Sequence, residues 1–451
     1  TLVLVLLITA ALSCSDDGTR SNNGVDAGGA DAGVAADASG TPGDGGQGGA
    51  DAMSPADSGG APGDASTPDG GGDADASVPP QDPDPTCEGG GNDGQLPEGT
   101  IGGVVTTPHP TLNNITVEWA IEGDEDLDGG VRVRYREEGA TYWHRGMALR
   151  RIPSGETEGL PWGNRHSGSV FDLEPGTRYE IELWLVDPDG GCRFETVVAE
   201  TRPVPVPMPG APVKAVTPDT LESTLSAAQP GDIIDLGPGT YDAFDVDVDG
   251  EPGKEIVIRS TQGAVIDGTV DASNREYVQI VGLTANRIRF DNSKRISIMN
   301  NTVNVEVRFE GIGAYDRAED AYIADNVVTG PTIWRESALG VDGDNLGECI
   351  LVTGPGHVVA HNRITGCRDN ISFLEGGDRD QYSIDVFGND IYNAADDGIE
   401  ADFCEHNCRI MRNRMTNVFI AMSSQPSLGG PTYFIRNVVY SNIYRAAFKL
   451  H

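Results

Sequence analysis

The sequence predicts an all-β protein in which a β-solenoid follows an antiparallel β-sandwich and a disordered linker. The solenoid is predicted by an asparagine, followed by apolar residues, that recurs at intervals of 24 to 27 residues, as Asn362, Asn389, Asn413 and Asn437. A period in the twenties with two or three short strands per unit is typical of a solenoid. Alternating strands between residues 100 and 202 predict the sandwich, and a segment without aromatic residues predicts the linker.

Residues 1–14 predict an export signal. Positions 2–12 form an apolar run of about a dozen residues, which is too short to span a bilayer and fits the core of a secretory signal. Ser13 and Cys14 resemble a bacterial lipoprotein cleavage site, although Ala11 stands where such sites usually have Leu. The resemblance implies a lipid on Cys14 and an outer-membrane or cell-surface location. A plain cleaved signal with secretion is the alternative, and the lack of an initiator Met predicts residues before Thr1.

Residues 15–99 predict a flexible linker. As far as residue 86 they are almost entirely Gly, Ala, Asp, Ser and Pro, with Arg20 as the only basic residue. Such a segment cannot bury enough apolar area to offset its backbone entropy. It carries a good share of the formal net charge of -39, so that charge describes a solvated linker more than a binding face. The acidic balance argues against a nucleic-acid partner, because phosphate binding needs clustered Lys and Arg.

Residues 100–202 predict an antiparallel sandwich with one face of each sheet buried. Strands at residues 115–119, 131–135 and 179–184 alternate between apolar and polar positions. The segment from Leu173 to Tyr179 resembles the tyrosine corner of fibronectin type III domains, and Trp119 resembles their core tryptophan. The resemblance implies a spacer or a binding module rather than a catalyst.

One loop of the predicted sandwich is acidic. Asp124, Asp126 and Asp128, followed by Gly129, resemble the first half of a calcium-binding loop. Tyr135 stands where the acidic ligand at the twelfth position is expected, so an ordinary acidic hairpin loop is the alternative.

A proline-rich connector at residues 203–212 precedes the solenoid at residues 213–451. A predicted helix at residues 221–228 leads into the segment 229–241, which resembles the start of right-handed parallel β-helix proteins of the pectate-lyase-like type. In that family, which includes alginate and chondroitin lyases, a helix covers the open end of the first coil. The chain stops at His451 in a strand without a polar cap, which predicts that the C-terminus is truncated.

The recurring asparagines are predicted to be structural. Asn301 and Asn326 extend the series towards the N-terminus. Asparagine tolerates left-handed backbone geometry and can bond the amide of the neighbouring coil, so stacked asparagines at a turn stabilise the solenoid.

The sequence has seven cysteines and a predicted export signal, so disulfides are expected. If Cys14 is lipidated, six remain, and these allow fifteen pairings. Cys404 and Cys408 are four residues apart and form the most plausible local disulfide.

Side-chain alternation predicts a charged face late in the solenoid. The residues taken as pointing inward are Ile371, Phe373, Ile399, Ala401, Ile420, Met422, Phe448 and Leu450. The residues then pointing outward are Ser372, Glu400, Asp402, Ala421, Ser423, Lys449 and His451. Glu400 and Lys449 lie two coils apart, about 10 Å, which leaves room for one or two sugar residues between them.

These residue types predict an exported protein that binds, and by β-elimination cleaves, an acidic polysaccharide. The catalytic candidates are Lys449, His451, Glu400 and Asp397, with Lys449 or His451 as the base. The substrate-binding candidates are Asp396, Asp402, Arg445 and Ser423. The candidate ligands for calcium, which would neutralise the uronate, are Asp396, Asp397 and Glu400.

Two other functions fit the same residues. A glycoside hydrolase would use two of the carboxylates Asp396, Asp397, Glu400 and Asp402 as acid and base. A carbohydrate-binding or adhesion protein would use the same surface without turnover, since solenoid faces commonly carry weak ion pairs. The paired-aspartate and Gly-His-Gly set of polygalacturonases and the Asp-Pro-His-Asp element of alginate epimerases are both missing, so the fold alone does not decide the reaction.

Overall fold

The computed structural model describes residues 87, 91–306, 310–375, 380–426, 428–440 and 447–450. The predicted signal peptide with Cys14, the predicted linker up to residue 86, Arg445 and His451 lie outside these residues. Nearly all regular structure in the described part is β, as predicted. Within the same residues, no helix is both long enough and apolar enough to cross a membrane.

The first group of strands forms an antiparallel sandwich. Its strands are β1 Thr100–Thr106, β2 Ile115–Gly123, β3 Gly130–Glu137, β4 His144–Arg145, β5 Arg150–Ile152, β6 Gly155–Thr157, β7 Leu160–Trp162, β8 Arg165–Val170, β9 Arg178–Val186 and β10 Cys192–Glu200. The sheets have the orders β1-β2-β8-β5 and β10-β9-β3-β4, while β6 and β7 form a separate hairpin. Trp119 is fully buried in the shared core. The Tyr179 hydroxyl accepts a hydrogen bond from the backbone N–H of Glu174 at 2.9 Å, which is the corner contact that the sequence predicts.

The second group of strands forms a parallel β-solenoid. Its strands are β11 Val213–Val216, β12 Ile233–Leu236, β13 Gly239–Asp245, β14 Ile256–Arg259, β15 Ala264–Asp271, β16 Val278–Val281, β17 Thr284–Ala285, β18 Arg287–Arg289, β19 Ser297–Met299, β20 Thr302–Asn304, β21 Ile312–Gly313, β22 Tyr322–Ala324, β23 Val327–Thr329, β24 Glu348–Val352, β25 Val358–Ala360, β26 Arg363–Thr365, β27 Asp369–Phe373, β28 Gln381–Tyr382, β29 Asp385–Phe387, β30 Asp390–Glu400, β31 Cys404–His406, β32 Cys408–Met411, β33 Arg414–Ser424, β34 Thr432–Ile435, β35 Val438–Tyr440 and β36 Phe448–Leu450. A short helix α1, Leu221–Leu225, precedes β12, and 3₁₀ turns lie at Pro218–Thr220 and Glu336–Ala338. Helix α1 ends at Leu225, three residues earlier than predicted.

Two parallel sheets run the length of the solenoid. One has the order β11-β12-β14-β16-β19-β22-β25-β29-β32-β34, and the other has fourteen strands. In the first sheet, one apolar position pairs with the same position of the next coil; its members are Ile234, Ile258, Ile280, Ile298, Ile323, Val359, Val386, Ile410 and Phe434. In the second sheet, β30 pairs with β26 through residues 390–392 and with β27 through residues 399–400. Strand β30 therefore turns a corner of the coil between its two ends.

The recurring asparagines form the predicted ladder. The six members are Asn301, Asn326, Asn362, Asn389, Asn413 and Asn437. From Asn326 onwards, each side-chain oxygen accepts hydrogen bonds from the backbone N–H and the side-chain amide of the preceding asparagine, while the oxygen of Asn301 accepts from the backbone N–H of Leu283. The left-handed residue is not the ladder asparagine but the one before it, in each case with φ between 54° and 67°: Asn300, Asp325, His361, Gly388, Arg412 and Arg436. The preceding residue therefore makes the turn, and the ladder asparagine supplies the hydrogen bonds.

The sandwich packs against the solenoid through buried polar groups. Asp385 of β29 and Arg409 of β32 form an ion pair in which both side chains are 0 % exposed. Asp385 also accepts hydrogen bonds from the Thr111 hydroxyl at 2.5 Å and the Asn114 amide at 2.7 Å, and Arg409 donates to the Thr116 hydroxyl at 3.1 Å. These contacts hold the sandwich against the solenoid. Its role as a spacer or a binding module, which the sequence resemblance implies, stays a prediction.

Candidate functional site

Four polar side chains occupy one outward position on successive coils, in the register that alternation predicts. Ser372 of β27 pairs with Glu400 of β30, Glu400 pairs with Ser423 of β33, and Ser423 pairs with Lys449 of β36. The neighbouring inward position, filled by Ile371, Ile399, Met422 and Phe448, follows the same pairing.

Four apolar side chains differ in exposure from what alternation predicts. Ala421 is buried, whereas Ile420 lies on the wall of a cavity. The reason is the corner between the two sheets, where the register of β30 and β33 shifts between Ala394 and Asp397, so the period of two is not kept. Phe448 and Leu450, taken as inward, are 45 % and 54 % exposed, since no described strand stacks on the far side of β36.

The predicted acidic residues are buried rather than displayed on an open groove. Asp397 is 0 % exposed, Asp402 is 1 % exposed, and Asp396 and Glu400 are each 8 % exposed. A loop that follows β23 covers part of this region, because the N–H of Gly340 donates to the carbonyl of Ala395 at 2.8 Å. The expectation of a solvent-facing charged surface is therefore corrected to a mostly closed cluster.

Lys449 reaches back across two coils into this cluster. Its Nζ donates to Asp397 Oδ2 at 2.9 Å and lies 3.6 Å from Asp402 Oδ2 and 3.9 Å from Glu400 Oε1. The predicted gap of about 10 Å between the two backbones is thus closed by side chains. No sugar residue fits between Glu400 and Lys449 in this arrangement.

Two members of the cluster were missed by sequence reasoning. The N–H of Asp397 donates to Oδ1 of the buried Asp369 at 2.6 Å, and Glu348 pairs in register with Asp369. Glu348, Asp369 and Asp397 each stand two residues before an inward isoleucine, so alternation assigns them to the core. An acidic residue at the same offset on three successive coils was the signal that would have found them. We call Glu348, Asp369, Asp396, Asp397, Glu400 and Asp402 the carboxylate cluster.

Burial and mutual repulsion change the protonation of the carboxylate cluster. Burial, followed by the charges of Asp369 and Asp397, raises the pKa of Glu400 to about 10. Burial, followed by the charge of Glu400, raises the pKa of Glu348 to about 8. Burial also raises the pKa values of Asp396 and Asp402, each to about 6. At neutral pH, Glu400 therefore keeps its proton, while Asp396 and Asp402 are ionised.

Lys449 is poorly suited to the predicted role of base. Burial by itself lowers the pKa of its ammonium, but the hydrogen bond to Asp397 and the charges of Asp402 and Glu400 raise that pKa above its usual value. An amine that keeps its proton cannot accept another from a substrate. The geometry therefore fits a fixed cation, and the assignment of the base to Lys449 loses its support.

The predicted substrate contacts at Ser423 and Asp402 lack accessible surface. Ser423 is 0 % exposed. Asp402 Oδ1 accepts a hydrogen bond from the N–H of Gln425 at 3.0 Å, and its other oxygen faces Lys449. Both residues support the cluster from inside. The two remaining predictions for this region, Arg445 and His451, fall on residues that are not described.

Part of the cluster has the composition of a cation site. One oxygen from each of Asp369, Asp397 and Glu400 lies within 4.8 Å of the others, and the same holds for Glu375, Glu400 and Asp402. Asp397 Oδ1 is buried and has no hydrogen-bond partner among the described residues. Carboxylates of this kind suit a hard cation, although nothing here selects calcium. Asp396, predicted as a ligand, belongs to neither described group, and Asp369 takes its place.

The acidic loop of the sandwich, residues 124–129, differs from the carboxylate cluster in how its carboxylates are engaged. Asp124 is fully buried, forms an ion pair with Arg151, and accepts a hydrogen bond from the N–H of Gly129 at 3.0 Å. Its carboxylate oxygens are therefore engaged by protein groups. Asp126 and Asp128, which come near Asp124, are exposed.

A cavity of about 450 Å³ opens beside the carboxylate cluster. It is lined by the covering loop, by two aromatic rings and by two charged groups of the cluster region: Leu339, Gly340, Val341, Asp342, Asp396, Phe419, Ile420, Phe448 and Lys449. Its volume is in the range of ligand-binding cavities, and a mostly apolar wall with a few polar groups is typical of them.

Disulfides fix strands and loops around the site. Cys349 of β24, next to Glu348, is joined to Cys367, which stands two residues before Asp369. A second disulfide joins Cys404 to Cys408 just after Asp402, and a third joins Cys87 to Cys192 in the sandwich.

The fold and the site together define a parallel β-solenoid with a buried carboxylate cluster beside a ligand-sized cavity. No protein-family model matches the chain, and no curated protein matches it. One similar solved structure is the alginate lyase from Paenibacillus sp. str. FPU-7, with 17 % identity, a TM-score of 0.36, and coverage of 52 % of this chain and 99 % of that chain.

Two further solved structures show the same distant likeness. The Family 28 exopolygalacturonase of Yersinia enterocolitica has 11 % identity, a TM-score of 0.39, and coverage of 80 % of this chain and 82 % of that chain. The catalytic domain of a GH87 alpha-1,3-glucanase has 10 % identity, a TM-score of 0.24, and coverage of 80 % and 91 %. At these scores the likenesses carry no argument about function, which rests on the site itself.

Proposed function

We propose that the solenoid binds a polysaccharide in the cavity beside Asp396 and Lys449 and hydrolyses it by general acid–base catalysis. The observation that carries the proposal is a set of buried carboxyl groups packed around the ammonium group of Lys449, which itself lines a ligand-sized cavity together with Asp396. Carboxyl groups whose surroundings drive their pKa values apart supply an acid and a base at the same pH.

Accessibility selects the two groups that meet the substrate. The Asp396 and Glu400 side chains are each 11 % exposed, whereas those of Asp397 and Asp402 are 0 % and 1 % exposed. Asp396 also lines the cavity. Substrate contact is therefore assigned to Asp396, on its position in the cavity wall, and to Glu400, which is outside the described lining, on its exposed fraction alone. Support of Lys449 is assigned to Asp397 and Asp402.

The protonation states give each group a role. Glu400, with a pKa of about 10, donates its proton to the glycosidic oxygen as the bond to the leaving sugar breaks. Asp396, with a pKa of about 6, takes a proton from the water that adds to the anomeric carbon. The Ser372 hydroxyl holds Glu400 Oε2 at 2.9 Å, and the positive charge of Lys449 helps to keep Asp396 ionised.

A second candidate is β-elimination on an acidic polysaccharide, as the sequence predicts. It is favoured by the group Asp369, Asp397 and Glu400, whose oxygens lie close enough to hold a cation. A bound cation such as calcium would supply the charge that neutralises a uronate carboxylate. The base must then be a group other than the protonated Lys449. Binding without turnover, in a carbohydrate-binding or adhesion protein, would use the same cavity.

The proposed setting is outside the cytoplasm, at the cell surface or secreted. Three disulfides fit an oxidising compartment. The export signal and the lipid on Cys14 are proposals that come from the sequence. A relationship of the sandwich to fibronectin type III domains is also proposed, and the corner at Tyr179 and the buried Trp119 support it.

The test is incubation of the full chain with neutral glucans, alginate, pectate and glycosaminoglycans. New reducing ends without ultraviolet absorbance from unsaturated sugars are expected, together with their loss in Glu400→Gln and Asp396→Asn. Unsaturated products that require added calcium and disappear with a chelator would replace hydrolysis with β-elimination. Binding of a polymer without any new ends would assign the chain to the non-catalytic class.

A further inference from the structure

We infer that the cavity beside the carboxylate cluster accepts an uncharged sugar unit, so that the preferred polymer is a neutral polysaccharide. The inference rests on the proposed function and names its substrate class. It is carried by the balance of charge around the cavity and by the apolar character of its wall.

The first observation is that the described cations of the site are already paired. Lys449 Nζ lies within 3.9 Å of the carboxylates of Asp397, Glu400 and Asp402. Arg368 Nε lies 3.5 Å from Asp369 Oδ2 and 3.9 Å from Asp396 Oδ2. Among the described residues that line the cavity, Lys449 is the sole cation, so a uronate carboxylate would compete with three protein carboxylates for one ammonium.

The second observation is that the negative groups lie where a substrate carboxylate would enter. Asp396 and Asp342 both line the cavity. Two like charges at contact distance repel each other strongly in a partly buried site. A sugar with hydroxyl groups alone avoids this repulsion, and Asp396 accepts hydrogen bonds from such hydroxyls.

The third observation is that the rest of the wall is apolar. Phe419 and Phe448 present aromatic rings, and Leu339, Val341 and Ile420 complete the lining. Phe448 is held at an edge-to-face distance of 5.2 Å from Phe434, although it is 45 % exposed. Gly340 lies against the ring of Phe419, where a Cβ would come within 3.0 Å of Cε1. Rings held in this way bury the C–H face of a sugar while its hydroxyls bond to the polar groups.

The experiment measures binding by calorimetry on the full chain carrying Glu400→Gln, which keeps the site neutral at this residue and prevents turnover. The probes are cellohexaose, laminarihexaose and hexagalacturonate, each in a chelator and at low salt. At least one neutral probe is expected to bind at least roughly tenfold more tightly than hexagalacturonate. Tighter binding of hexagalacturonate, or binding of neither neutral probe, overturns the inference.

Two added variants test the two causes separately. Asp396→Asn is expected to improve hexagalacturonate binding and so to reduce the preference for neutral probes. Its control is Asp390→Asn, on the same strand but paired with Arg414 outside the cavity, which is expected to leave that preference unchanged. Phe448→Ala is expected to weaken neutral binding roughly tenfold, and Tyr440→Ala, 70 % exposed and outside the described lining, serves as its control. If Asp396→Asn leaves the preference for neutral probes unchanged, repulsion of a substrate carboxylate by Asp396 does not explain that preference. Neutral binding without cleavage in the unsubstituted chain would remove the proposed hydrolysis and leave the substrate class standing.

Discussion

At the residue scale, the proton on Glu400 and the ammonium of Lys449 determine what the cluster can do. A carboxyl group that remains protonated at neutral pH is an acid, and an ammonium held among three carboxyl groups is a fixed charge. Six carboxyl groups with two nearby cations, Arg368 and Lys449, are costly to keep in a folded protein. Such an arrangement is more typical of a functional site than of a stabilising one.

Replacing Glu400 with Gln is expected to stabilise the chain at pH 8 and much less at pH 4.5. The pKa of Glu400 is about 10 in the folded chain and 4.5 when unperturbed, so the folded state binds more protons between these values. Stability is therefore lost as the pH rises through this window, and Gln removes that loss. Calorimetry should show Tm higher by roughly 2–4 °C or more at pH 8. An equal change at both pH values, or a similar gain in the exposed control Glu222→Gln, contradicts the assignment.

The pH profile of hydrolysis should have an acid limb near pH 6. Asp396 must be ionised to act as base, and its pKa is about 6 because burial raises it. Below that pH the rate falls as Asp396 gains a proton. We expect Asp396→Asn to lower kcat/KM by roughly a hundredfold or more and to remove the limb. A limb of unchanged position in the residual activity of this variant assigns the base to another group.

At the element scale, each coil is held by an apolar position inside and an asparagine at the corner. The asparagine ladder satisfies backbone groups where the chain turns between the sheets. This frame keeps β27, β30, β33 and β36 in register, which brings Ser372, Glu400, Ser423 and Lys449 into one row. This row of side chains therefore results from the stacking of the coils, and the neighbouring loops determine how much of it is exposed to solvent.

Replacing Asn389 with Ala is expected to lower the free energy of unfolding by about 1–3 kcal/mol or more. Its oxygen accepts from the N–H of Asn362 at 2.9 Å, and its amide donates to the Val359 carbonyl at 2.9 Å, so both partners lose a buried bond. Urea unfolding measures the change. Asn437→Ala is the matched control at the partly exposed end of the described ladder, and an equal loss there would mean that burial does not set the cost.

At the scale of the whole molecule, the sandwich and the described solenoid share a buried polar interface. Arg202 donates to the carbonyls of Asp320 and Gly356, each at 2.5 Å, and Asn407 bonds to Ser167 and Ser169. Buried groups of this kind stay in place only when both sides of the interface are present. The two parts are therefore expected to unfold together.

Replacing Asp385 with Ala is expected to cost about 3–5 kcal/mol, because it leaves Arg409 charged and buried without its partner. Tryptophan fluorescence, to which the sandwich contributes four of the five tryptophans, and circular dichroism of the whole chain should show one shared transition at a lower temperature. Asp172→Ala removes an exposed pair with Arg412 across the same interface and should cost about 1 kcal/mol or less. Two separate transitions in the unsubstituted chain, or equal losses in the two variants, argue against the shared interface.

The sequence by itself determined the solenoid and the row of outward residues. Both depend on periods, since a coil stacks on the next only when apolar positions and corner asparagines recur together. It did not reveal Glu348 and Asp369, because each stands two residues before an inward isoleucine, a position that alternation assigns to the core. Nor did alternation distinguish Asp385 and Arg409 from ordinary surface residues, although both are buried under the sandwich.

The tertiary structure alone determined which side chains are buried, and burial determined their protonation and accessibility. The sequence predicted an open charged face with Lys449 or His451 as the base, whereas the covering loop and the side chain of Lys449 close that face. The pKa of a carboxyl or an amine depends on the water removed and the charges brought near, and both are set by residues far apart in the chain. The residue types were therefore readable from the sequence, while their protonation and accessibility were properties of the folded chain.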